Sequence, residues 1–250
     1  MKIDKYFNIK DKFKFLCHAG LKCFNSCCMD INIFLTPLDV LSLKNSVGII
    51  SKEFLNEYTI IIRKHQNVLP IPIIKMKGEE KRCPFVSEKG CRVYNARPWS
   101  CRMAPVDLIN DSSYRMCFDS SFCLGLNEDV EWTIREWVLN QGIDLNNPLD
   151  IESGKLKNNI KFTGLRSLDV HIQNIFFMVC YDIDTFRKYI FETSFLKQFH
   201  VDDRTIERIK YDDQSLLGFG FKWLAEDFDI KKSIKVRDEC FEDFSFFQNF

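Results

Sequence analysis

The sequence predicts an α+β protein, mainly α, in which a cysteine-rich half with short strands packs against a helical C-terminal half. Three observations predict it. Nine of the eleven cysteines lie before residue 124, among turn-forming residues. After residue 126, helix-period apolar patterns with aspartates at their starts take over. Hydrophobic residues make up 46% of the 250, and 24 of them are phenylalanine, enough apolar material for a sizeable core. The expected division is residues 1–125 and 126–250, packed as one compact unit.

Residues 1–16 mix lysine with aromatics and predict a short helix or an arm. The first cysteine cluster follows: Cys17, Cys23, Cys27 and Cys28 in CHAGLKCFNSCC. Cys23 and Cys27 share a face if the stretch is helical, and Cys28 then points about a quarter turn away. Vicinal cysteines of this kind serve two metal sites, or two corners of a polynuclear cluster, more naturally than one ion. DINIFLT alternates like a strand end. Thr36-Pro37-Leu38-Asp39 has the signature of a helix start, and that helix runs to about Gly48. A second short helix is expected over residues 51–58, and β-branched runs broken by prolines over 59–77 predict a hairpin or edge strands. The second cluster, Cys83, Cys91 and Cys101 in CPFVSEKGCRVYNARPWSCR, has the turn-rich look of a metal knuckle, with Cys117 and Cys123 beyond it.

In the second half, Glu128–Gln141 is acidic in its first turn and stops at Gly142, a helix pattern. Residues 143–164 are expected to be a polar surface loop, and NIFFMVCY (174–181) to be buried core. Three more helices are predicted: Asp184–Phe195, Asp203–Tyr211 and Asp213–Phe228, each with an aspartate to cap its start. In the last, Leu216, Leu217, Phe219, Gly220, Trp223 and Leu224 form an apolar face, with Gly218 and Gly220 marking a close packing contact.

Charge narrows the partners. Lysine plus arginine and aspartate plus glutamate both number 35, and this balance argues against nucleic acid, whose phosphates call for a basic surplus. No stretch has the length of a spanning helix, so no membrane span is expected. The N-terminus lacks a secretory pattern, and a cytoplasmic location is expected. There thiols stay reduced, and a cysteine-dense chain points to bound metal rather than disulfides. The nine clustered cysteines (Cys17, Cys23, Cys27, Cys28, Cys83, Cys91, Cys101, Cys117, Cys123) are the candidate ligands. They exceed the needs of one tetrahedral zinc: eight would fill two zinc sites, and four would hold a 4Fe–4S cluster.

Cys23–Cys28, Leu35-Thr36-Pro37-Leu38-Asp39, CPFV and GCRVYNARPWSCR together resemble the CxxCxxCC cysteine-cluster family of zinc- or iron-chelating proteins, also called YkgJ-like. The likeness covers roughly residues 17–105, and the RPxxCR segment is its most specific piece. The first cluster departs from the tight family spacing, with C-x5-C-x3-CC from Cys17 in place of C-x2-C-x2-CC. The cysteine pattern is also similar to that of flagellin lysine N-methylases. These resemblances imply chelated metal, with an iron–sulfur cluster (4Fe–4S) ahead of zinc, a preference that the Phe-rich surroundings share by shielding a cluster from water.

Arg97 and Arg102 are candidate cofactor-binding residues, able to donate to thiolate sulfur or offset its charge. Their other reading is a clamp on the turn, packing on Tyr94 or Trp99. His18 is expected to be an exposed neighbour of Cys17. His65, His171 and His200 are expected to be ordinary residues, and Cys180 and Cys240 free or buried thiols. Asp39 is expected to cap a helix. No nucleophile–base pair, phosphate loop or dinucleotide fingerprint is present. Two classes of function follow. The metal supports a redox or protein-modifying reaction on an unidentified protein or small-molecule partner, or it is structural or stored, in a binding module or metal chaperone.

Overall fold

A computed structural model of the chain describes residues 6–62, 69–110, 112–159 and 170–225. Among them are ten α-helices and nine short strands in small sheets. The fold is α+β and mainly α, as the sequence predicts. The chain divides into two units, Met1–Val47 with Ile73–Leu145, and Gly48–Pro72 with Asn146–Phe250.

The first unit is built on short antiparallel strands rather than on an N-terminal helix. Tyr6–Phe7 pairs with Ser113–Met116, which pairs with Val106–Asn110. Lys12–Lys14 pairs with Glu131–Thr133, Phe13 standing opposite Trp132. The alternation of lysine and phenylalanine in KFKF explains the choice: as a strand it buries Phe13 and Phe15 while its lysines stay exposed. This pairing also shortens the helix expected over Glu128–Gln141. The helix runs from Ile134 to Asn140, where Thr133 and Glu136 form a reciprocal capping box. An aromatic core lies beneath, with Trp137 edge-on to Phe13, Phe15 and Trp132. Its indole N–H donates to the Met103 carbonyl at 2.9 Å.

The second unit is helical: Ser51–Tyr58, Pro148–Asn159, Val170–Tyr181, Ile183–Glu192, Phe195–Gln198, Asp203–Tyr211 and Asp213–Ala225. The loop expected over 143–164 contains the helix Pro148–Asn159, whose start is fixed by Asn147 accepting from the Leu149 amide at 2.9 Å. NIFFMVCY is the end of the helix Val170–Tyr181. Thr59–Ile62 and Ile71–Ile74 are strands, and residues 63–68 between them lie outside the described residues, as does His65. In two of these helices the cap is the aspartate one residue before the predicted start, Asp202 accepting from the Thr205 amide and Asp212 from the Ser215 amide, whereas Asp182 makes no side-chain cap bond at the start of Ile183–Glu192. Ser51 ties two helix starts together, its hydroxyl donating to Asp182 at 2.5 Å and its amide to Asp184 at 2.7 Å. On the helix Asp213–Ala225 the buried face includes Phe221, while Phe219 is half-buried. The end of that predicted helix, residues 226–228, lies outside the described residues, as does Cys240.

Gly220 sits in close packing within this unit. A Cβ there would lie 2.4 Å from Val179 Cγ1 and 2.8 Å from Phe186 Cε1, whereas one at Gly218 would meet only the tip of Leu149, at 3.1 Å. Overpacking costs about 1–3 kcal/mol and exceeds the roughly 1 kcal/mol that alanine gains over glycine in a helix. Gly220→Ala is therefore expected to lower the thermal midpoint by several degrees, and Gly218→Ala to leave it unchanged or raise it. Circular dichroism melts of the two variants check this.

Candidate metal centre

The first cysteine cluster is a succession of tight turns rather than a helix. Phe24 N bonds to the Leu21 carbonyl and Ser26 N to the Cys23 carbonyl, before a 3-10 turn over Ser26–Cys28. Asn25 takes the left-handed conformation (φ 68°) that starts this turn, which asparagine tolerates better than most residues. Its side-chain amide donates to the Ser87 carbonyl at 2.9 Å, fastening the first cluster to the second.

That junction continues along the backbone. Asp30 N donates to the Lys81 carbonyl at 3.0 Å and Cys83 N to the Cys28 carbonyl at 2.9 Å. Cys83 thereby sits beside Cys28. The hairpin of Val86–Ser87 and Gly90–Cys91 then places Cys91 opposite Val86, its turn released by Gly90 at φ 104°. Cys101 arrives on the short helix Trp99–Met103. Asp39 holds that helix in place. One carboxylate oxygen accepts the Trp99 amide at 2.8 Å and the other the Thr36 amide at 2.8 Å, so a single buried side chain caps Pro37–Val47 and seats the Cys101 helix against it. Burial pushes its carboxyl up to about 6, against the pull of the two amides and of Arg102. It is ionised at neutral pH, the form that accepts from both.

Cys17 reaches Cys123 by another route. Leu16 N donates to the Gly125 carbonyl at 3.0 Å, and Leu124 N to the Cys23 sulfur at 3.3 Å. Gly125 permits this approach: a Cβ would lie 2.7 Å from the Leu16 carbonyl oxygen.

The thiols fall into two groups that act on one another electrostatically. Cys28, Cys83, Cys91 and Cys101 form one. Burial, then their mutual charges, pushes Cys83 and Cys101 up, Cys101 to about 12; for Cys91 burial is the cause. Cys28 is raised first by its hydrogen bond to Cys27, then by burial, Cys27, Cys83 and Cys101. Cys17, Cys23, Cys27 and Cys123 form the other: burial, then Cys23, Cys27 and Cys17, raises Cys123 to about 11, and burial, then Cys27 and Cys23, raises Cys17. The vicinal pair joins the two groups. Cys28 donates to the Cys27 sulfur, which holds Cys27 low and Cys28 high. Backbone amides also aim at sulfur: Phe85 and Val86 at Cys83, Val93 at Cys91, and Gly125 at Cys123. Among the described residues, no three cysteine, histidine or carboxylate side chains close at metal-ligand distance about one point. The donor set itself, four soft sulfurs to a group with amide donors behind them, fits zinc or iron.

Arg97 faces both groups, its charge drawing down Cys17, Cys27, Cys91 and Cys101. It lies 3.6 Å over the Tyr94 ring and bonds to the Gln141 side chain at 2.8 Å. Arg102 is placed differently: it donates to the Gly142 carbonyl at 3.0 Å and acts on Asp39. Cys117 is exposed and stands outside both groups, with Asp107, Arg115 and Cys123 for neighbours. His18 is exposed, and its ring accepts from the Gly20 amide at 3.2 Å. Cys180 is buried. Asp39 does more than cap a helix as the sequence predicts, because it also accepts the Trp99 amide, a partner 60 residues away that no local pattern reveals.

Residues 16–123 match the model of the CxxCxxCC family, described as "Putative zinc- or iron-chelating domain". No curated protein and no solved structure matches the chain. No helix among the described residues is long and apolar enough to cross a membrane.

Two substitutions separate the two thiol groups. Asp39→Ala leaves two amides without their acceptor at about 1–3 kcal/mol each, and frees the Cys101 helix. Gly125→Ala forces Leu16 and Cys17 away from Cys123. Both are expected to lower the thermal midpoint. Thiol-alkylation mass spectrometry is expected to show faster labelling of Cys101 in the first variant and of Cys17 and Cys123 in the second, with the other group unaffected.

Proposed function

We propose that the CxxCxxCC domain of residues 16–123 holds metal at two adjoining sites of four thiolates. Cys17, Cys23, Cys27 and Cys123 form one, and Cys28, Cys83, Cys91 and Cys101 the other, with iron–sulfur clusters (4Fe–4S) as occupants. The observation that carries this reading is a pair of separate ties, Cys83 N to the Cys28 carbonyl and Leu124 N to the Cys23 sulfur, which bring the second cluster to Cys28 and the Cys123 turn to Cys23. The family supports metal binding. The choice of iron–sulfur follows the family resemblance and the Phe-rich surroundings, and the amide that donates to the Cys23 sulfur suits a thiolate ligand. Arg97 offsets charge for both sites. When bound, such a cluster supplies one-electron chemistry, for a redox or protein-modifying reaction. The chain's part is to orient the sulfurs, hold Arg97 against them and keep the Cys101 side dry.

Zinc is the second reading, favoured by the four-and-four division itself. Four thiolates complete a tetrahedral zinc and leave no open position, which suits a structural or stored ion.

Anaerobic purification with elemental analysis and visible absorption tests the proposal. A brown protein with iron and sulfide is expected; a colourless protein with about two zinc ions per chain supports the second reading. Cys27→Ser and Cys28→Ser are each expected to lose about half of the metal, while Cys117→Ser and Cys240→Ser keep it all. Loss of all metal in both vicinal variants would mean one shared site. Arg97→Gln is expected to speed metal loss to a chelator about tenfold or more, the usual effect of removing an outer-shell partner.

A further inference from the structure

The helix Val170–Tyr181 is apolar on more than one face. Phe176, Val179 and Cys180 are buried in the core. Ile175, Phe177 and Met178 are only half-buried, and they line a cavity of about 630 Å³. Tyr189 and Ile50 complete its apolar wall. A helix that is hydrophobic all round is ordinarily covered all round, and an apolar surface left open marks a site of interaction. The volume falls within the range of about 300–1,000 Å³ typical of small-molecule sites.

The charged groups at the edge select the ligand. Lys52 and Lys188 line the cavity and are exposed, and among the described residues neither makes an ion pair or a hydrogen bond. Asp182 and Asp184 also line it, but each already accepts from Ser51 in the first turn of a helix, where the positive end of the helix dipole offsets a carboxylate. Glu192, exposed, is the remaining acid. We propose that this cavity binds a small amphipathic carboxylate, its apolar body against Ile175, Phe177 and Met178 and its head group between Lys52 and Lys188. Burial pushes Tyr189 up to about 12, so its phenol stays neutral beside the ligand. The site lies wholly within the second unit and does not rest on the metal reading.

Fluorescence of anilinonaphthalene sulfonate, an aromatic anion that brightens in apolar sites, tests this on the full chain. Octanoate, octanol and octylamine serve as competitors. Octanoate is expected to displace the dye, with the alcohol and the amine about tenfold weaker or worse. The Lys52→Glu/Lys188→Glu double variant, changed only at exposed positions, is expected to weaken octanoate about tenfold with an unchanged circular dichroism spectrum. Ile175→Trp, which fills the cavity, is expected to abolish displaceable dye binding. The proposal is overturned by a dye signal that octanoate does not displace, by equal competition from the three, by preference for the amine, or by undiminished binding in the double variant.

Discussion

The Asp39 carboxylate is the constraint on which the cysteine-rich unit turns. It is buried, and each of its oxygens accepts a backbone amide from a different part of the chain, Thr36 and Trp99. An ionised carboxylate that is nearly dry is costly unless it is fully hydrogen-bonded. Its partners must therefore come to it. That requirement fixes the start of the helix Pro37–Val47, the placement of the RPxxCR segment and the position of Cys101. The same logic runs on a smaller scale at Asn25, whose side chain reaches Ser87, and at Gly125, whose missing Cβ lets Leu16 close on it.

Gathering thiols in this way has an electrostatic cost. Burial raises the cost of ionising these sulfurs, and neighbouring thiolates add to it, so most of them are held protonated at neutral pH. Two features work in the other direction: amides aimed at sulfur, and the Arg97 guanidinium held by Tyr94 and Gln141. A bound metal ion would supply the rest, and its binding would release protons. The chain is thus built to hold charge that it does not itself neutralise.

Much of this was legible in the residues. Thr36-Pro37-Leu38-Asp39 spelled a helix start, and CPFV and SEKGC spelled a turn-rich knuckle. What escaped were features set by partners distant in sequence. Lys12–Lys14 is a strand only because Glu131–Thr133 pairs with it, and the helix expected from Glu128 starts late for the same reason. The polar run 143–164 read as a loop because its helix has little apolar periodicity of its own. The separation of Arg97 from Arg102 was likewise invisible: one faces sulfur and the other clamps a carbonyl, though both stand in the same motif.

X-ray absorption at the metal edge of the anaerobically loaded protein tests the central claim most directly. Four sulfur neighbours around each metal, at about 2.3 Å and with no nitrogen or oxygen in the first shell, are the predicted result. For iron, metal–metal scattering is expected in addition. A first shell with fewer sulfurs, completed by nitrogen or oxygen, would contradict the assignment of eight cysteines to two complete sets.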